Sequence, residues 1–122
     1  MSVRGIRGAI TVDVNEEQPI LQATAELLSG IVRANGIVPD DIASVFVTVT
    51  GDLDATFPAR AIRAMAGWDL VPLMCALEVP VKGSLAKCIR LMVLVNTEKT
   101  QEQVEHVYLG GAKALRPDLA KA

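Results

Sequence analysis

Three charged side chains lie within stretches of the sequence that are otherwise apolar. Arg90 directly precedes the apolar run 91–95, Glu78 lies in an apolar segment from 73 to 81, and Arg7 stands in a third such stretch. Burying an isolated charge costs several kcal/mol, so each of these side chains needs a partner. An ion pair with Glu78 uses only one arginine, and the other guanidinium can bind a carboxylate bidentately. The sequence leaves two interpretations of Arg90 open: a structural ion pair, and a site for a small anionic ligand.

Few other residues have side chains that could react or bind a metal. The single histidine, His106, has no companion at metal-ligand spacing, and we expect it to be structural. Cys75 and Cys88 have apolar neighbours, which favours protonated thiols packed in the core. No serine lies in a nucleophile elbow, and no glycine-rich phosphate loop precedes a helix. Triad hydrolysis and phosphoryl transfer are therefore not expected.

Three further polar residues can be interpreted either as structural or surface residues or as part of a functional site. Tyr108, set between Val107 and Leu109, can form a hydrogen bond with the backbone or join the arginines in a site. Arg60 and Arg63 are three positions apart on a predicted short helix and project from one face. That pattern favours solvated surface charges.

Five segments have the β-branched and apolar composition of strands. They are residues 3–12, 43–50, 70–79, 88–95 and 104–109. Segment 88–95 is apolar at successive positions, which predicts a central strand buried on both faces, with Arg90 buried in it.

One long amphipathic helix and shorter helices accompany the strands. Asn15 followed by Gln18 is a helix-start pattern, apolar residues then recur at helical spacing, and Gly36 ends the helix. Pro58 suits the first turn of a short helix that reaches about Gly67. The elements together predict an α+β fold, a mixed β-sheet with one long helix and short helices.

The composition indicates one domain that associates with other copies. The chain has 122 residues and a mass of 13.0 kDa, close to the commonest domain size. We expect a single domain over 1–122, with 116–122 as a flexible C-terminal tail. Hydrophobic residues make up 51% of the chain, more than a core of this size buries, so we expect a subunit interface on the second face of the sheet.

Charge and hydropathy exclude several classes of partner. The longest uninterrupted apolar run has five residues, whereas a membrane span needs ~20. The 12 basic and 14 acidic residues include no basic run, so no nucleic-acid partner is expected. The N-terminus carries no secretory pattern, which favours a cytoplasmic location and free thiols.

Several short motifs occur in order along almost the whole chain. They are Arg4-Gly5-Ile6-Arg7-Gly8-Ala9, Phe57-Pro58-Ala59, Val71-Pro72 with Glu78 downstream, Cys88-Ile89-Arg90, His106-Val107-Tyr108-Leu109 and Leu115-Arg116-Pro117-Asp118-Leu119. From residue 3 to about residue 119, the sequence resembles the AroH-type family of monofunctional chorismate mutases. One departure is Gly110-Gly111, where members of that family often carry charged or larger residues.

The resemblance implies a homotrimeric pseudo-α/β barrel with three active sites between neighbouring subunits. It also implies the Claisen rearrangement of chorismate to prephenate, on the route to phenylalanine and tyrosine, with no cofactor and no metal. Such a pericyclic reaction needs no nucleophile and no proton transfer, which agrees with the few reactive side chains. The two carboxylates of chorismate would be ligands for the arginine groups that an ion pair with Glu78 does not use.

The resemblance also assigns roles to individual residues. Arg90 would meet the ether oxygen of the breaking bond, Arg7 would bind a carboxylate, and Glu78 would accept a hydrogen bond from the ring hydroxyl. Tyr108 would donate to a carboxylate. The residues expected to line the rest of the substrate site, several of them from the neighbouring subunit, are Phe57, Ala59, Arg60, Arg63, Leu73, Met74, Cys75, Ala76, Leu77, Leu115 and Arg116.

Two alternatives from other classes stay open at this point. A trimeric carboxylate-binding or regulatory protein could use the same cleft without catalysis, although simple carboxylate capture does not need Glu78. A trimeric enamine or imine deaminase also binds carboxylates through an interface arginine, but its motifs are not those found here.

Overall fold

The computed structural model describes residues 1–115 and contains one five-stranded sheet in the order β3-β2-β4-β1-β5. The strands are β1 Ser2–Thr11, β2 Ile42–Val49, β3 Leu73–Leu77, β4 Cys88–Thr97 and β5 Val107–Leu109. The helices are α1 Glu17–Asn35 and α2 Ala59–Arg63, with 3₁₀ turns at Pro39–Asp41 and Gly110–Ala114. No helix in this part of the chain is long and apolar enough to cross a membrane.

The sheet is mixed, as predicted. The three inner strands pair antiparallel, β1 and β2 each flanking β4. The two edge strands pair parallel with their neighbours, β3 with β2 and β5 with β1. The α+β class and the central position of β4 are therefore confirmed.

One face of the sheet carries the main core. Side chains alternate along each strand, so Val45 and Val47 of β2 and Ile89 and Val93 of β4 point to the same side. All four are at most 1% exposed. The apolar stripe of α1 packs in the same core, and its fully buried residues include Ile20, Leu27, Leu28 and Ile31.

The predicted helix start was wrong by one residue, and its end was confirmed. Asn15 does not cap α1; its side-chain oxygen accepts hydrogen bonds from the backbone N–H groups of Asp54 and Ala55, at 3.0 and 3.1 Å. The helix begins at Glu17 instead. Gly36 takes the left-handed conformation, with φ of 60°, and donates its N–H to the Val32 carbonyl.

Two predicted strands are shorter in the structure. The segment 70–79 forms a strand only over Leu73–Leu77, because a turn ends at Val71 and Pro72 has no N–H to donate. The segment 104–109 forms a strand only over Val107–Leu109, because the preceding residues make turns closed on the Thr100 carbonyl. The short helix is also shorter than predicted and ends at Arg63.

The other face of the sheet is covered beside β5 by the 3₁₀ turn Gly110–Ala114, whose Ala112 packs against Ala9 and Tyr108, whereas α1 and α2 pack in the core on the opposite side. This other face carries Gly5, Arg7 and Ala9 from β1 and, by register, Arg90 and Met92 from β4. We call this the open face. Its exposed apolar side chains include Phe46, 43% exposed, and Met74, 64% exposed.

Gly8 of β1 lies directly against α1, with no room for a larger side chain. A Cβ at Gly8 would lie 2.7 Å from Ile31 Cδ1, 3.0 Å from Leu27 Cδ1 and 3.2 Å from the Val107 carbonyl oxygen. We expect Gly8→Ala to lower the free energy of unfolding by about 1–3 kcal/mol, the usual cost of overpacking. Urea denaturation measures it, and Gly51→Ala, where a Cβ meets nothing within 4 Å, is the matched control. Equal stability of both variants would contradict this packing.

Candidate active site

Strand register brings the predicted polar groups to one part of the open face. Ala9 of β1 is paired with Arg90 on one side and with Tyr108 on the other. Arg7 lies two residues from Ala9 and therefore shares its face. The three polar side chains line one cleft of about 200 Å³, together with Gly8, Phe46, Thr48, Leu91 and Met92.

Arg90 and Glu78 form a bidentate ion pair. Arg90 Nε donates to Glu78 Oε2 at 2.6 Å, and Arg90 Nη2 donates to Oε1 at 2.7 Å. The Thr48 hydroxyl also donates to Oε2. Hydrogen bonding from Arg90, helped by Thr48, holds the pKa of the Glu78 carboxyl below its usual value despite the opposing effect of burial. Hydrogen bonding to Glu78 raises the pKa of Arg90. Both groups are therefore charged at neutral pH.

The prediction that Arg90 is buried was wrong for the single chain. Its side chain is 50% exposed, whereas that of Glu78 is 16% exposed. β4 is indeed the central strand, but only one of its faces is covered, and Arg90 projects from the other. The ion pair that the sequence left as one interpretation is present. Its exposed side leaves part of the guanidinium accessible to a ligand.

Arg7 is positioned through its backbone by His106. The backbone N–H of Arg7 donates to His106 Nδ1 at 2.9 Å. Within residues 1–115, the Arg7 guanidinium has no ion-pair or hydrogen-bond partner, although its side chain lines the cleft. The sequence therefore missed a contact of His106 that fixes the backbone of a site residue. A histidine directly before a short edge strand was the only available signal.

Tyr108 closes one end of the open face. It is 3% exposed and packs in a small cluster with Ala9, Cys88 and Ala112, against which Leu85 also lies. Burial raises the pKa of the Cys88 thiol to about 11. Cys88 is therefore a neutral packing residue, as its apolar neighbours predicted, and both cysteines are free thiols.

A second group of predicted site residues lines a different groove, between the loop before α2 and the edge strand β3. The groove has a volume of about 600 Å³, and its lining includes Phe57, Arg60, Cys75, Ala76 and Leu77. Phe57 is 69% exposed. The Arg60 Nη1 donates to Glu17 Oε1 at 2.5 Å and to Thr56 Oγ1 at 2.8 Å, so this arginine already has partners within the chain.

The remaining predicted residues have varied environments. Met74 is exposed on the open face and Arg63 is exposed on α2, whereas Ala59 is 3% exposed in the core and Leu73 packs partly buried against it. Leu115 lines a third cleft of about 180 Å³ that also includes Glu78 and Arg90. Arg116 and the predicted flexible tail 116–122 lie outside the described residues.

Thr48 is a further candidate site residue, which the sequence alone did not single out. It pairs with Arg90 across β2 and β4 and donates to the same carboxylate oxygen of Glu78 as Arg90 does. Its signal was the alternation along β2, where Val47 and Val49 face the core and Thr48 faces the other way.

The candidate site offers charge and hydrogen bonds. Among residues 1–115, no group of three or more His, Cys, Asp or Glu side chains could hold a metal ion. The Arg90 cleft instead presents two guanidinium groups and a phenol, and the third cleft, which shares Arg90, presents the carboxylate of Glu78. Such an arrangement can bind a compact dianion and stabilise charge that develops within it.

Comparisons with known proteins agree over nearly the whole chain. The family model described as chorismate mutase type I matches residues 3–119. Chorismate mutase AroH of Bacillus subtilis (strain 168) is 47% identical over 120 residues, covering 98% of this chain and 94% of that protein. Chorismate mutase AroH of Thermus thermophilus is 52% identical over 121 residues, covering 98% of each.

A solved structure shows the same fold. Chorismate mutase from Clostridium thermocellum, Cth-682, superposes with a TM-score of 0.89 at 50% sequence identity, covering 91% of this chain and 98% of that one. A family model that spans most of the chain, with relatives near 50% identity, leaves no other family to consider. The chain belongs to the chorismate mutase type I family.

Proposed function

We propose that this protein is an isomerase that rearranges chorismate to prephenate in the cleft beside Arg90, within aromatic amino-acid biosynthesis. Membership of the chorismate mutase family supports the activity. The observation that carries the location is the convergence of Arg7, Arg90, Glu78 and Tyr108 at one end of the open face. We infer a cytoplasmic location from the two free thiols.

The reaction makes one demand that these residues can meet. In a Claisen rearrangement, the carbon–oxygen bond of the enolpyruvyl ether breaks while a carbon–carbon bond to the ring forms. No atom is gained or lost. Negative charge builds on the ether oxygen during this step, so a fixed donor stabilises the transition state more than the substrate.

Arg90 is the donor that we assign to the ether oxygen. Two of its N–H groups are held by Glu78, which fixes the plane of the guanidinium before substrate arrives. The half-exposed side chain keeps its other N–H groups accessible. A rate enhancement of ~10⁶ requires about 8 kcal/mol, and one preorganised donor typically supplies ~3–4 kcal/mol of it. Selection of the compact substrate conformer would supply much of the rest.

Binding of the two substrate carboxylates falls to the other groups at the cleft. Arg7 lines it with a guanidinium that has no partner among residues 1–115, and Tyr108 lies beside it through the β1–β5 pairing. Glu78 is anionic and accepts hydrogen bonds, which suits it to the ring hydroxyl of chorismate.

We further propose that the enzyme is a homotrimer with its sites between subunits. In one chain, the Arg90 cleft and the groove beside Phe57 are lined by different residues. A neighbouring subunit could bring its Phe57 groove against the Arg90 cleft of the first. The open face supports this, because exposed Phe46 and Met74 offer apolar surface for a partner.

The non-catalytic binding protein remains the second candidate, and one assay separates the two. Mutase activity predicts rapid loss of the ultraviolet absorbance of chorismate, with prephenate confirmed by its conversion to phenylpyruvate in acid. A binding protein would leave the absorbance unchanged. The family evidence favours the enzyme.

Replacement of Arg90 tests its role directly. We expect Arg90→Ala to lower kcat by ~10²–10³, because a preorganised donor to the developing charge is lost. Arg33→Ala, which removes an exposed arginine of α1, is the matched control and should keep full activity. Both variants should have the assembly state of the parent protein. A largely active Arg90→Ala would refute the assignment.

Two replacements of Glu78 separate hydrogen bonding from charge. We expect Glu78→Gln to lose less activity than Glu78→Ala, because the amide oxygen can still accept from the ring hydroxyl. Steady-state kinetics with chorismate provide the comparison. Equal losses in the two variants would show that the negative charge beside Arg90 is what matters.

The oligomeric state can be tested on the open face. We expect a solution mass three times the 13.0 kDa of the chain, measured by light scattering after size exclusion. Phe46→Asp places a charge on the open face and should lower that mass. Val38→Asp is the control, because Val38 is similarly exposed, at 51%, but lies outside the sheet. A monomeric parent protein would contradict the trimer.

A further inference from the structure

Asp52 makes an unusually complete set of contacts for an exposed loop residue. Its Oδ1 and Oδ2 accept from the backbone N–H of Lys87 at 3.1 and 3.0 Å. Its Oδ1 also accepts from the Thr50 hydroxyl at 2.5 Å. The carboxylate therefore joins the loop after β2 to the residue immediately before β4.

Lys87 has a backbone conformation that needs such support. Its φ is +48°, and it is the one non-glycine residue with positive φ in the part of the chain that the structure describes. Residues other than Gly, Asn and Asp rarely adopt this conformation, because their Cβ comes too close to the backbone. The Lys87 carbonyl also accepts from the Val12 N–H at 2.8 Å, so this peptide is held from both sides.

The same network adjoins both members of the Arg90–Glu78 pair. Thr50 Oγ1 accepts from the backbone N–H of Cys88 at 3.0 Å, and the Thr50 N–H donates to the Cys88 carbonyl at 3.1 Å. These bonds fix the first residue of β4, two positions before Arg90. The Glu78 N–H donates to the carbonyl of Val49, which directly precedes Thr50.

We propose that Asp52 is a positioning residue for catalysis: by clamping the Lys87 peptide, it fixes the start of β4 and hence the direction in which Arg90 projects. The proposal rests on the assignment of Arg90 to the reacting bond. Asp52 itself lines neither the Arg90 cleft nor the groove beside Phe57.

Two features make Asp52 suited to this role. Hydrogen bonds, chiefly from Thr50, lower the pKa of its carboxyl, so it accepts as an anion at neutral pH. It is also exposed and outside the core, so its replacement should leave the fold intact.

The start of β4 is a place where such a clamp matters. Strand ends fray more readily than strand centres, and Arg90 lies close to such an end.

The test combines a loss with a rescue. We expect Asp52→Ala to lower kcat about tenfold, because small misplacement of a catalytic donor is costly. Asp52→Ala with Lys87→Gly should recover most of that loss, since glycine adopts positive φ without the clamp. Asp40→Ala, which removes an exposed aspartate that lines none of the three clefts, should match the parent protein. Melting temperatures confirm that each variant is folded during the assay.

The Arg90→Lys variant distinguishes positioning of Arg90 from general destabilisation. If Asp52 acts through Arg90, then adding Asp52→Ala to Arg90→Lys should change kcat by less than twofold. Three results would overturn the proposal. They are a full tenfold loss of kcat when Asp52→Ala is added to Arg90→Lys, an unchanged kcat in Asp52→Ala alone, and a failure of Lys87→Gly to restore kcat. An Arg90→Ala variant that keeps full activity would instead refute the site assignment itself, which separates the two failures.

Discussion

The structure depends on one constraint. When α-helices pack on only one side of a single sheet, they cover only one of its two faces. Because side chains alternate along each strand, every second residue of β1 and β4 belongs to the core and the others belong to the open face. The core set includes Ile6 and Ile89, both fully buried, and the open set includes Arg7 and Arg90. The core and the candidate site thus use alternate residues of the same strands, and the charged groups do not have to be accommodated in the core.

The Arg90–Glu78 pair is better understood as a geometric device than as a source of stability. Its arginine is half exposed, and ion pairs of that kind contribute little to the free energy of unfolding. The two parallel hydrogen bonds, with the third from Thr48, fix the orientation of both groups. A guanidinium that is already oriented needs little reorganisation when charge develops on a ligand, which is the basis of electrostatic catalysis.

The sequence predicted the class of fold and singled out the polar residues of the candidate site, for identifiable reasons. β-branched runs and the helical repeat of α1 are local signals, so five strands, one long helix and a central β4 could be inferred. Arg90, Glu78 and Arg7 were visible because charge is rare in apolar segments. Arg90 was predicted to be buried because apolar residues on both sides of a strand do not reveal whether the second face is covered within one chain. The family resemblance supplied the substrate and the remaining residue roles.

What the sequence could not provide depends on contacts between distant segments. Asn15 has the appearance of a helix cap, but the loop at Asp54, 39 residues away, takes its side chain. Thr48 and His106 acquire their roles only when strand register places them beside Glu78 and Arg7. Positions that pair across a sheet are set by the whole topology, and no local pattern contains them.

The short edges of the sheet bear on how this protein avoids aggregation. The outer strands β3 and β5 have five and three residues, whereas the inner β1 and β4 have ten each. Unpaired N–H and C=O groups at a long edge would template the addition of further strands, and short edges offer little for that. If the protein forms the trimer proposed above, association takes place on the open face, where the contact can close on itself. A protein with 51% hydrophobic residues can in this way form a finite assembly instead of a fibre.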